Sequence, residues 1–208
     1  MSDTYHHGAL ADAVRAAAIE LVERDGPAGL SMREVARKAG VSHTAPKHHF
    51  GSKQGLLTTL AIEGFDLLID AMDRAAADAD DPVERVVRQV AAYVEMHRAN
   101  RGHAALMWRW DVVDVEDPRL AAASAEAFRR LHAGVAAVVG PAEAFGVAVE
   151  CWVAAHGAAT LAERLTPGLT NVVGADPFSL RAPEEIASHL VAAVLAQRSG
   201  KAASTPSE

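Results

Sequence analysis

Apolar residues recur along this chain at helical spacing and almost nowhere at the alternating spacing of a β-strand. Near the N-terminus they follow the intervals i, i+3, i+4, i+7 and i+11. This pattern predicts an amphipathic helix whose apolar face carries Leu10, Ala13, Val14, Ala17 and Leu21. The sequence DGPAG, residues 25–29, predicts the end of this helix, because glycine and proline interrupt helices.

A second, shorter helix is predicted to begin at Ser31. Ser31 and Glu34 have the spacing of a capping box, in which side chains satisfy the first backbone N–H groups. Gly40 falls where a left-handed residue would end the helix, with Val41 folding back on its last turn. Ser42 is then available as the N-cap of a third helix. Two short helices joined by a turn of about three residues have the spacing of a helix-turn-helix motif.

The rest of the chain is also predicted to be helical. Helical patterns run over about 52–79, 82–99, 103–113, 118–139, 141–165 and 183–198, with a loop containing glycine and proline at 166–182. Residues 199–208 are small and polar, which predicts disorder. The expected fold class is therefore all-α: an N-terminal three-helix helix-turn-helix headpiece followed by a helical domain.

Composition agrees with a soluble helical protein. The chain has 208 residues, of which 50% are hydrophobic and only 5% aromatic. Its single cysteine, Cys151, excludes a disulfide framework and is interpreted as a small buried hydrophobic residue. The first residues lack the layout of a signal peptide, and no apolar run approaches the roughly 20 residues that a membrane span needs. We therefore expect a cytoplasmic protein with no membrane partner.

The net charge of −7 argues against nucleic-acid binding, but the charges are unevenly distributed. Residues 31–53 contain five basic residues and one acid, Glu34, whereas residues 56–208 contain 13 basic and 21 acidic residues. The positive potential is thus confined to the predicted helix-turn-helix. A charged surface helix would give the same pattern, so charge alone does not decide between the two.

Three histidines in SHTAPKHHF, residues 42–50, raise the alternative of metal binding or catalysis. His43 lies five residues before His48 and six before His49, so no pair has the i, i+4 spacing that aligns two ligands on a helix. No cysteine or carboxylate lies nearby in sequence to complete a zinc site. The chain also lacks GxSxG, HExxH and a glycine-rich phosphate loop. We expect no catalytic residue, no metal site in this stretch and no cofactor, and the chain is not expected to be an enzyme.

The segment LSMREVARKAGVSHTAPKHHFGSKQGLL, residues 30–57, resembles the tetracycline-repressor (TetR) family of transcriptional regulators. The resemblance rests on the AGVS turn, the His49-Phe50 pair, Lys53 and the paired leucines that follow. The opening YHHGAL and the later Trp152, His156 and Gly157 resemble a TetR subgroup with a W-x-x-x-H-G signature.

This resemblance implies a homodimer that binds a double-stranded DNA operator through its headpieces and a small molecule in its helical domain. It also implies that the last two long helices form the dimer interface, and that ligand binding releases the operator. The predicted domains are a helix-turn-helix DNA-binding domain at 1–52, a helical regulatory and dimerisation domain at 53–198, and a disordered tail at 199–208.

The second helix of a helix-turn-helix lies in the major groove, with its N-terminal residues at the base edges. Ser42, His43 and Thr44 hold those positions here, and phosphate contacts should flank them. Lys53 lies where its charge and the amides of a helix N-terminus can meet one phosphate. The expected DNA-binding residues are Arg33, Ser42, His43, Thr44, Lys47, His48, His49 and Lys53.

Two positions depart from the family pattern. Lys47 occupies a slot that the resemblance assigns to a tyrosine, and we expect it to contact a phosphate. Pro46 occupies a slot that more often holds a bulky apolar residue. Either Ser42 caps the third helix and Pro46 distorts it, or the helix begins near Thr44 and the proline lies in its permissive first turn. Both alternatives predict a short or distorted recognition helix.

The helical domain contains most of the large aromatic and histidine side chains. Such residues most often fill cores, but they also line ligand pockets between helices. The expected ligand-binding residues are Tyr93, His97, Met107, Trp108, Phe128, His132, Trp152 and His156. A flat or aliphatic, largely apolar effector is expected, with Tyr93, His97 and His132 as its polar contacts. A metal-sensing role for His97, His103, His132 and His156 stays open.

Two functions therefore compete. The first is a ligand-responsive regulator, most simply a repressor, that binds a palindromic operator as a dimer. The alternative is a helical small-molecule or metal-binding protein whose DNA affinity is weakened, which the residues at positions 46 and 47 and the net acidity suggest.

Overall fold

The structure is a computed structural model that describes residues 3–164 and 181–202, with side chains from 9–162 and 181–198. Over these ranges all regular structure is helical, which confirms the predicted all-α class. The helices are α1 (Asp3–Gly29), α2 (Met32–Lys38), α3 (Ala45–Phe50), α4 (Lys53–Ala76), α5 (Pro82–Ala99), α6 (Arg101–Met107), α7 (Pro118–Val139), α8 (Pro141–Arg164) and α9 (Pro183–Ala202).

The predicted break at residues 25–29 is a kink near the end of α1. Gly26 has φ 73° and ψ 165°, a backbone conformation that is accessible mainly to glycine, and Pro27 follows it. Helical turns nevertheless continue to Gly29, so the DGPAG sequence bends the chain without ending the helix at once.

The predicted helix at 103–113 is wrong in its extent, since α6 ends at Met107. Residues 108–112 form turns instead, with the Val112 N–H bonding the Arg109 carbonyl at 2.9 Å, and two contacts with α4 then hold the end of this segment. The Gln54 side chain donates to the Val113 carbonyl at 3.1 Å, and the Asp114 N–H donates to the Thr58 hydroxyl at 2.8 Å. Val113 is buried at this contact.

At the C-terminal end, α9 continues to Ala202 rather than ending at residue 198, so the predicted disordered tail is wrong for residues 199–202. Residues 203–208 of that tail lie outside the described residues, as do residues 166–180 of the predicted 166–182 loop.

The chain divides into two compact units. The first comprises Met1–Asp66 and Asn100–Ser124, and the second comprises Leu67–Ala99 and Ala125–Glu208. In the first unit, α2 and α3 pack on α1 through a core that includes Leu21, Val35 and Leu57. In the second unit, α5, α8 and α9 pack together through Val90, Val147, Leu195 and their neighbours. The predicted functional division after residue 52 stays a prediction.

One part of α8, Pro141–Ala162, is long and apolar enough by composition to cross a membrane, contrary to the expectation from the sequence. Its mean hydropathy is 1.3, and only 39% of the window is buried within the chain. Glu143 and Glu150 lie on this segment and form ion pairs with Arg198 of α9 at 3.5 and 3.0 Å. Two acidic residues that pair with Arg198 therefore lie on the same helix as its exposed apolar side chains.

Candidate functional site

The turn between α2 and α3 has the geometry that its sequence predicts. Gly40 has φ 68°, and its N–H bonds the Arg37 carbonyl at 3.3 Å. The Val41 N–H bonds the Ala36 carbonyl at 3.0 Å. These two bonds form a Schellman motif, which satisfies carbonyls at the end of α2 and fixes the direction in which the chain leaves it.

At the start of α2, the predicted cap position is correct but the predicted side-chain bonds are absent. Ser31 is the N-cap, in extended conformation, and its carbonyl accepts the first helical bond from Val35 at 2.9 Å. Its hydroxyl makes no capping bond. The Glu34 carboxylate instead accepts a hydrogen bond from Arg24 at 2.8 Å, so it ties α2 to the end of α1.

The third helix begins later than Ser42, so the prediction of Ser42 as its N-cap is wrong. Thr44 is the N-cap, and the Ala45 N–H closes a turn on the Ser42 carbonyl at 3.0 Å. Pro46 then lies in the first turn of α3, where a helix needs no N–H from it. This is the second of the two predicted arrangements, and α3 is only six residues long. Pro46 is buried, so it also supplies apolar packing.

The predicted base-reading residues lie before α3 rather than on it. Ser42, His43 and Thr44 are all exposed, and the Ser42 and Thr44 hydroxyl oxygens are 3.3 Å apart. Lys47 and His48 are exposed on α3 itself. His49 is half-buried, and its ring lies edge-on to the ring of His48 with centroids 5.4 Å apart. His49 is thus less available for a DNA contact than the exposed residues around it.

A concave surface of about 760 Å³ lies between the start of α2, α3 and the start of α4. It is lined by Met32, Arg33, His43, Lys47, Gly51, Ser52 and Lys53. Three of these side chains are cationic and none is acidic, although the protein as a whole is acidic. Lys53 donates to the Ala28 carbonyl at 2.9 Å, which holds its ammonium group beside this surface. An ammonium group has three N–H donors, so the bond to Ala28 uses only one of them.

The start of α4 is fixed by Ser52, which sequence reasoning did not single out. Its hydroxyl accepts from the Gly55 N–H at 3.0 Å, and its carbonyl accepts from the Leu56 N–H at 3.1 Å. The positive end of the α4 dipole therefore lies beside Lys53. Gly51, with φ 71°, joins α3 to this cap. The preference for serine at an N-cap, directly before an apolar helical pattern, is the signal that indicates this cap.

In the second unit, an aromatic cluster is centred on Tyr93. Its ring stacks on His97 with centroids 4.3 Å apart and meets Trp152 edge-on at 5.2 Å. The Tyr93 hydroxyl lies 2.9 Å from His156 Nδ1. Phe128 joins the cluster through Trp152 at 5.8 Å.

Most of the predicted ligand-binding residues are therefore brought together. His132 adjoins the cluster through Phe128, at 6.2 Å between ring centroids. Met107 and Trp108, in contrast, belong to the first unit, where Trp108 packs edge-on against Phe65 at 5.4 Å. That these two residues share an effector site with the Tyr93 cluster stays a prediction.

Burial shifts the pKa values of two groups in the second unit, His97 and Cys151. Burial, reinforced by the nearby His156, lowers the pKa of His97 to about 4, so its ring is neutral at physiological pH. His97 Nδ1 donates to the Tyr93 carbonyl at 3.2 Å. Burial also raises the pKa of the Cys151 thiol to about 11, which agrees with its interpretation as an inert buried residue.

Among the described residues, no group of three or more histidine, cysteine or acidic side chains is arranged to hold a metal ion. His103 lies in the first unit, with Nε2 3.7 Å from a Glu63 carboxylate oxygen. The metal-sensing alternative for His97, His103, His132 and His156 therefore gains no support from the described residues.

The short α2, its glycine turn and the exposed start of α3 define a helix-turn-helix DNA-binding domain. Residues 14–60 match the model of the family described as bacterial regulatory proteins, tetR family. Residues 14–60 therefore form a DNA-binding domain of the TetR family.

Similar solved structures extend over nearly the whole chain. A protein of unknown function from Rhodococcus sp. RHA1 is 30% identical, with a TM-score of 0.74, and the alignment covers 93% of this chain and 97% of that one. A tetR-family bacterial regulatory protein from Rhodococcus RHA1 is 24% identical, with a TM-score of 0.61 and coverage of 90% and 95%. The TetR family transcriptional regulator PfmR from Thermus thermophilus is 18% identical, with a TM-score of 0.64 and coverage of 88% and 97%. No curated protein matches the chain.

Proposed function

We propose that this TetR-family protein is a cytoplasmic, ligand-responsive repressor that binds a palindromic operator as a homodimer and is released by a small, largely apolar effector. The observation that carries the DNA-binding part is the acid-free surface lined by Arg33, Lys47 and Lys53 beside the exposed turn at residues 42–44. A concentration of cations beside a helix-turn-helix, in a protein with net charge −7, is suited to phosphate contacts.

The exposed residues divide into two roles. Ser42, His43 and Thr44 precede the first turn of α3 and are placed to meet base edges, although hydroxyl groups discriminate poorly among bases. Lys47 and Lys53 flank them and are placed to meet phosphates, with the N-terminal end of α4 reinforcing the contact of Lys53. Because α3 is so short, much of the affinity should come from the phosphate contacts.

The homodimer is supported by an apolar stripe on α8. Phe145, Val149 and Val153 recur every four residues and are 66%, 40% and 64% exposed, and Leu161 continues the stripe at 45%. Leu190 of α9 is also exposed. A surface of this kind is suited to a two-fold interface in which the same helices of two copies pack together.

The effector site is assigned to the Tyr93 cluster. Aromatic faces from Tyr93, Phe128 and Trp152 favour a flat or aliphatic molecule. The ring of His97 is neutral, so it favours a neutral polar group over an anion. Release of DNA requires the effector to bind the DNA-incompetent state more tightly, typically by about 1–3 kcal/mol of coupling.

The alternative, a helical small-molecule or metal-binding protein with weakened DNA affinity, is favoured by one observation. The recognition helix has only six residues, and three of the predicted contacts precede it. A short helix presents fewer side chains to a groove, so specific binding could be lost while the ligand-binding unit is kept.

A mobility-shift assay separates the two functions. The full-length protein is titrated onto DNA from upstream of its own gene and onto a shuffled duplex of equal length, at about 50 and 200 mM salt. The regulator should prefer the upstream DNA and lose affinity steeply as salt rises. Absent binding, or binding that does not respond to salt, would support the alternative.

A further inference from the structure

A cavity of about 450 Å³ that is open to solvent lies on the second unit, between the C-terminal end of α4, the start of α5 and the second half of α7. Gln89 and Gly134 form its buried floor. Its walls are mostly small and apolar, formed by Ala76, Ala77, Pro82, Ala133 and Ala137. None of the residues assigned to the Tyr93 cluster lines it. Its volume falls in the range of small-molecule pockets, roughly 300–1,000 Å³.

One polar group in this cavity is unsatisfied. Gln89 is only 5% exposed, and its Oε1 has no hydrogen-bond partner among the described residues. Nearly all buried polar atoms in folded proteins are paired, because an unpaired acceptor loses its bond to water without replacement. Gln89 therefore holds an unpaired acceptor, which a hydrogen-bond donor in the cavity would satisfy once the side-chain amide turns toward it.

The absence of a side chain at Gly134 provides the space that Gln89 Oε1 occupies. A Cβ atom at position 134 would lie 2.9 Å from Gln89 Oε1 and 3.2 Å from Val86 Cγ2. Glycine is disfavoured inside a helix, yet Gly134 lies well inside α7. The cavity thus contains a buried amide and a glycine whose missing side chain accommodates it.

The charged side chains at the cavity are already engaged. Arg130 forms ion pairs with Asp73 at 3.2 Å and with Glu126 at 2.7 Å. Arg85 donates to the Ala79 carbonyl at 2.7 Å. Because Arg130 is paired with two carboxylates and Arg85 is held by a backbone carbonyl, neither cation is left to a ligand, and a neutral ligand suits the cavity.

We propose that this cavity binds a small, neutral, largely apolar molecule that carries one hydroxyl or amide N–H, which donates to Gln89 Oε1. It is a second site, separate from the effector site assigned to the Tyr93 cluster. The proposal does not depend on DNA binding, so it is tested on the full-length protein alone.

The test uses pairs of probes that differ only in the donor: cyclohexanol against methoxycyclohexane, and phenol against anisole. Calorimetric titration should give each hydroxyl compound an affinity about tenfold above its methyl ether, since only the hydroxyl pairs with Gln89. In Gln89→Met, with a side chain of similar length and no acceptor amide, the two members of each pair should bind equally. A thermal melt verifies that the variant is folded.

A second variant locates the binding. Ala137→Leu fills the cavity without altering Gln89 and should reduce the affinity for cyclohexanol and phenol at least tenfold. Ala121→Leu, the same change at an exposed position of α7 that does not line the cavity, should leave the affinity unchanged. The proposal is overturned if no probe binds, if the ethers bind as well as the alcohols, or if Ala137→Leu binds like the wild type.

Discussion

Lys47 is the residue whose charge should affect the salt dependence of DNA binding most directly. It is exposed on α3 and lines the same concave surface as Arg33 and Lys53. Each phosphate that a cation neutralises releases about one counterion, so Lys47→Ala should flatten the slope of log affinity against log salt by about one unit. Mobility shifts or fluorescence anisotropy between about 50 and 200 mM salt measure this.

The matched control is Arg74→Ala, which removes an exposed cation from the far end of α4 in the second unit. Its salt slope should equal that of the wild type. If the salt slope of Lys47→Ala also equals that of the wild type, Lys47 is excluded from the DNA interface.

His97 should make stability depend on pH in the acid range. Its pKa is lowered from 6.5 to about 4 by burial and by the nearby His156, so the unfolded chain binds a proton that the folded protein does not. Stability is therefore fully present above pH 6.5 and falls as the pH drops toward 4, by on the order of 3 kcal/mol. Urea unfolding at pH 7 and pH 5 measures the loss.

His97→Phe keeps a ring against Tyr93 but cannot take up a proton, so its stability should change less between the two pH values. His189→Phe, an exposed position on α9, should keep the wild-type dependence. Equal pH dependence in wild type and His97→Phe would mean that another group carries it.

At the scale of elements, the segment after α6 is held to α4 by Thr58. The Thr58 hydroxyl donates to the Gln54 carbonyl at 2.8 Å and accepts from the Asp114 N–H at 2.8 Å. Thr58→Val keeps the shape of the side chain and removes both bonds, so it should lower the free energy of unfolding by about 1–2 kcal/mol. Thr59→Val is the control, because the Thr59 hydroxyl bonds only the Gly55 carbonyl of its own helix. If both variants unfold alike, the link to Asp114 contributes no stability.

Gly55 allows α3 and α4 to meet closely. A Cβ atom at this position would lie 2.2 Å from the Phe50 carbonyl oxygen, and backbone cannot easily move aside. Gly55→Ala should therefore shift the end of α3 and reduce both stability and operator affinity. Gly146→Ala provides the comparison on stability, because its added methyl group meets no atom within 4 Å and should stabilise α8 by up to about 1 kcal/mol. Unfolding curves and operator titrations of Gly55→Ala that match the wild type would contradict this.

Sequence predictions are most accurate where a feature depends on residues close together along the chain. The Schellman motif at Gly40 depends on bonds within six residues, and its sequence predicts it correctly. The late start of α3 was one of two alternatives, because Pro46 restricts the helix without fixing its first residue. The segment after α6 is held by Thr58, far away in sequence, and periodicity alone continues the helix into this segment wrongly. Gln89 carried a signal that was missed, since it is a polar residue between Val86 and Val90 on a buried face.

At the scale of the whole molecule, histidine and aromatic residues spread through the sequence could not be sorted by position alone. Helix packing joins Tyr93, His97, Trp152 and His156 into one cluster and leaves Trp108 in the other unit. Residue type therefore predicts a site of aromatic and histidine side chains, and the packing of the helices decides which of these residues belong to it.

Dimerisation is the property of the whole molecule on which operator binding should depend. Val153 lies within the exposed stripe of α8, and Val153→Lys would place a charge that has to be desolvated twice in a two-fold interface. This should weaken association by about 2 kcal/mol or more and reduce operator binding with it. Sedimentation velocity across a dilution series measures the assembly.

Val115→Lys makes the same substitution at a valine of similar exposure in the first unit, outside the stripe. It should remain dimeric, which separates an effect of the interface from an effect of adding a lysine to an exposed apolar position. A Val153→Lys variant that dimerises and binds the operator like the wild type would place the interface elsewhere. The exposed apolar stripe on α8 would then need a partner other than a second copy of the chain, because a contiguous apolar surface of this kind marks an interaction site.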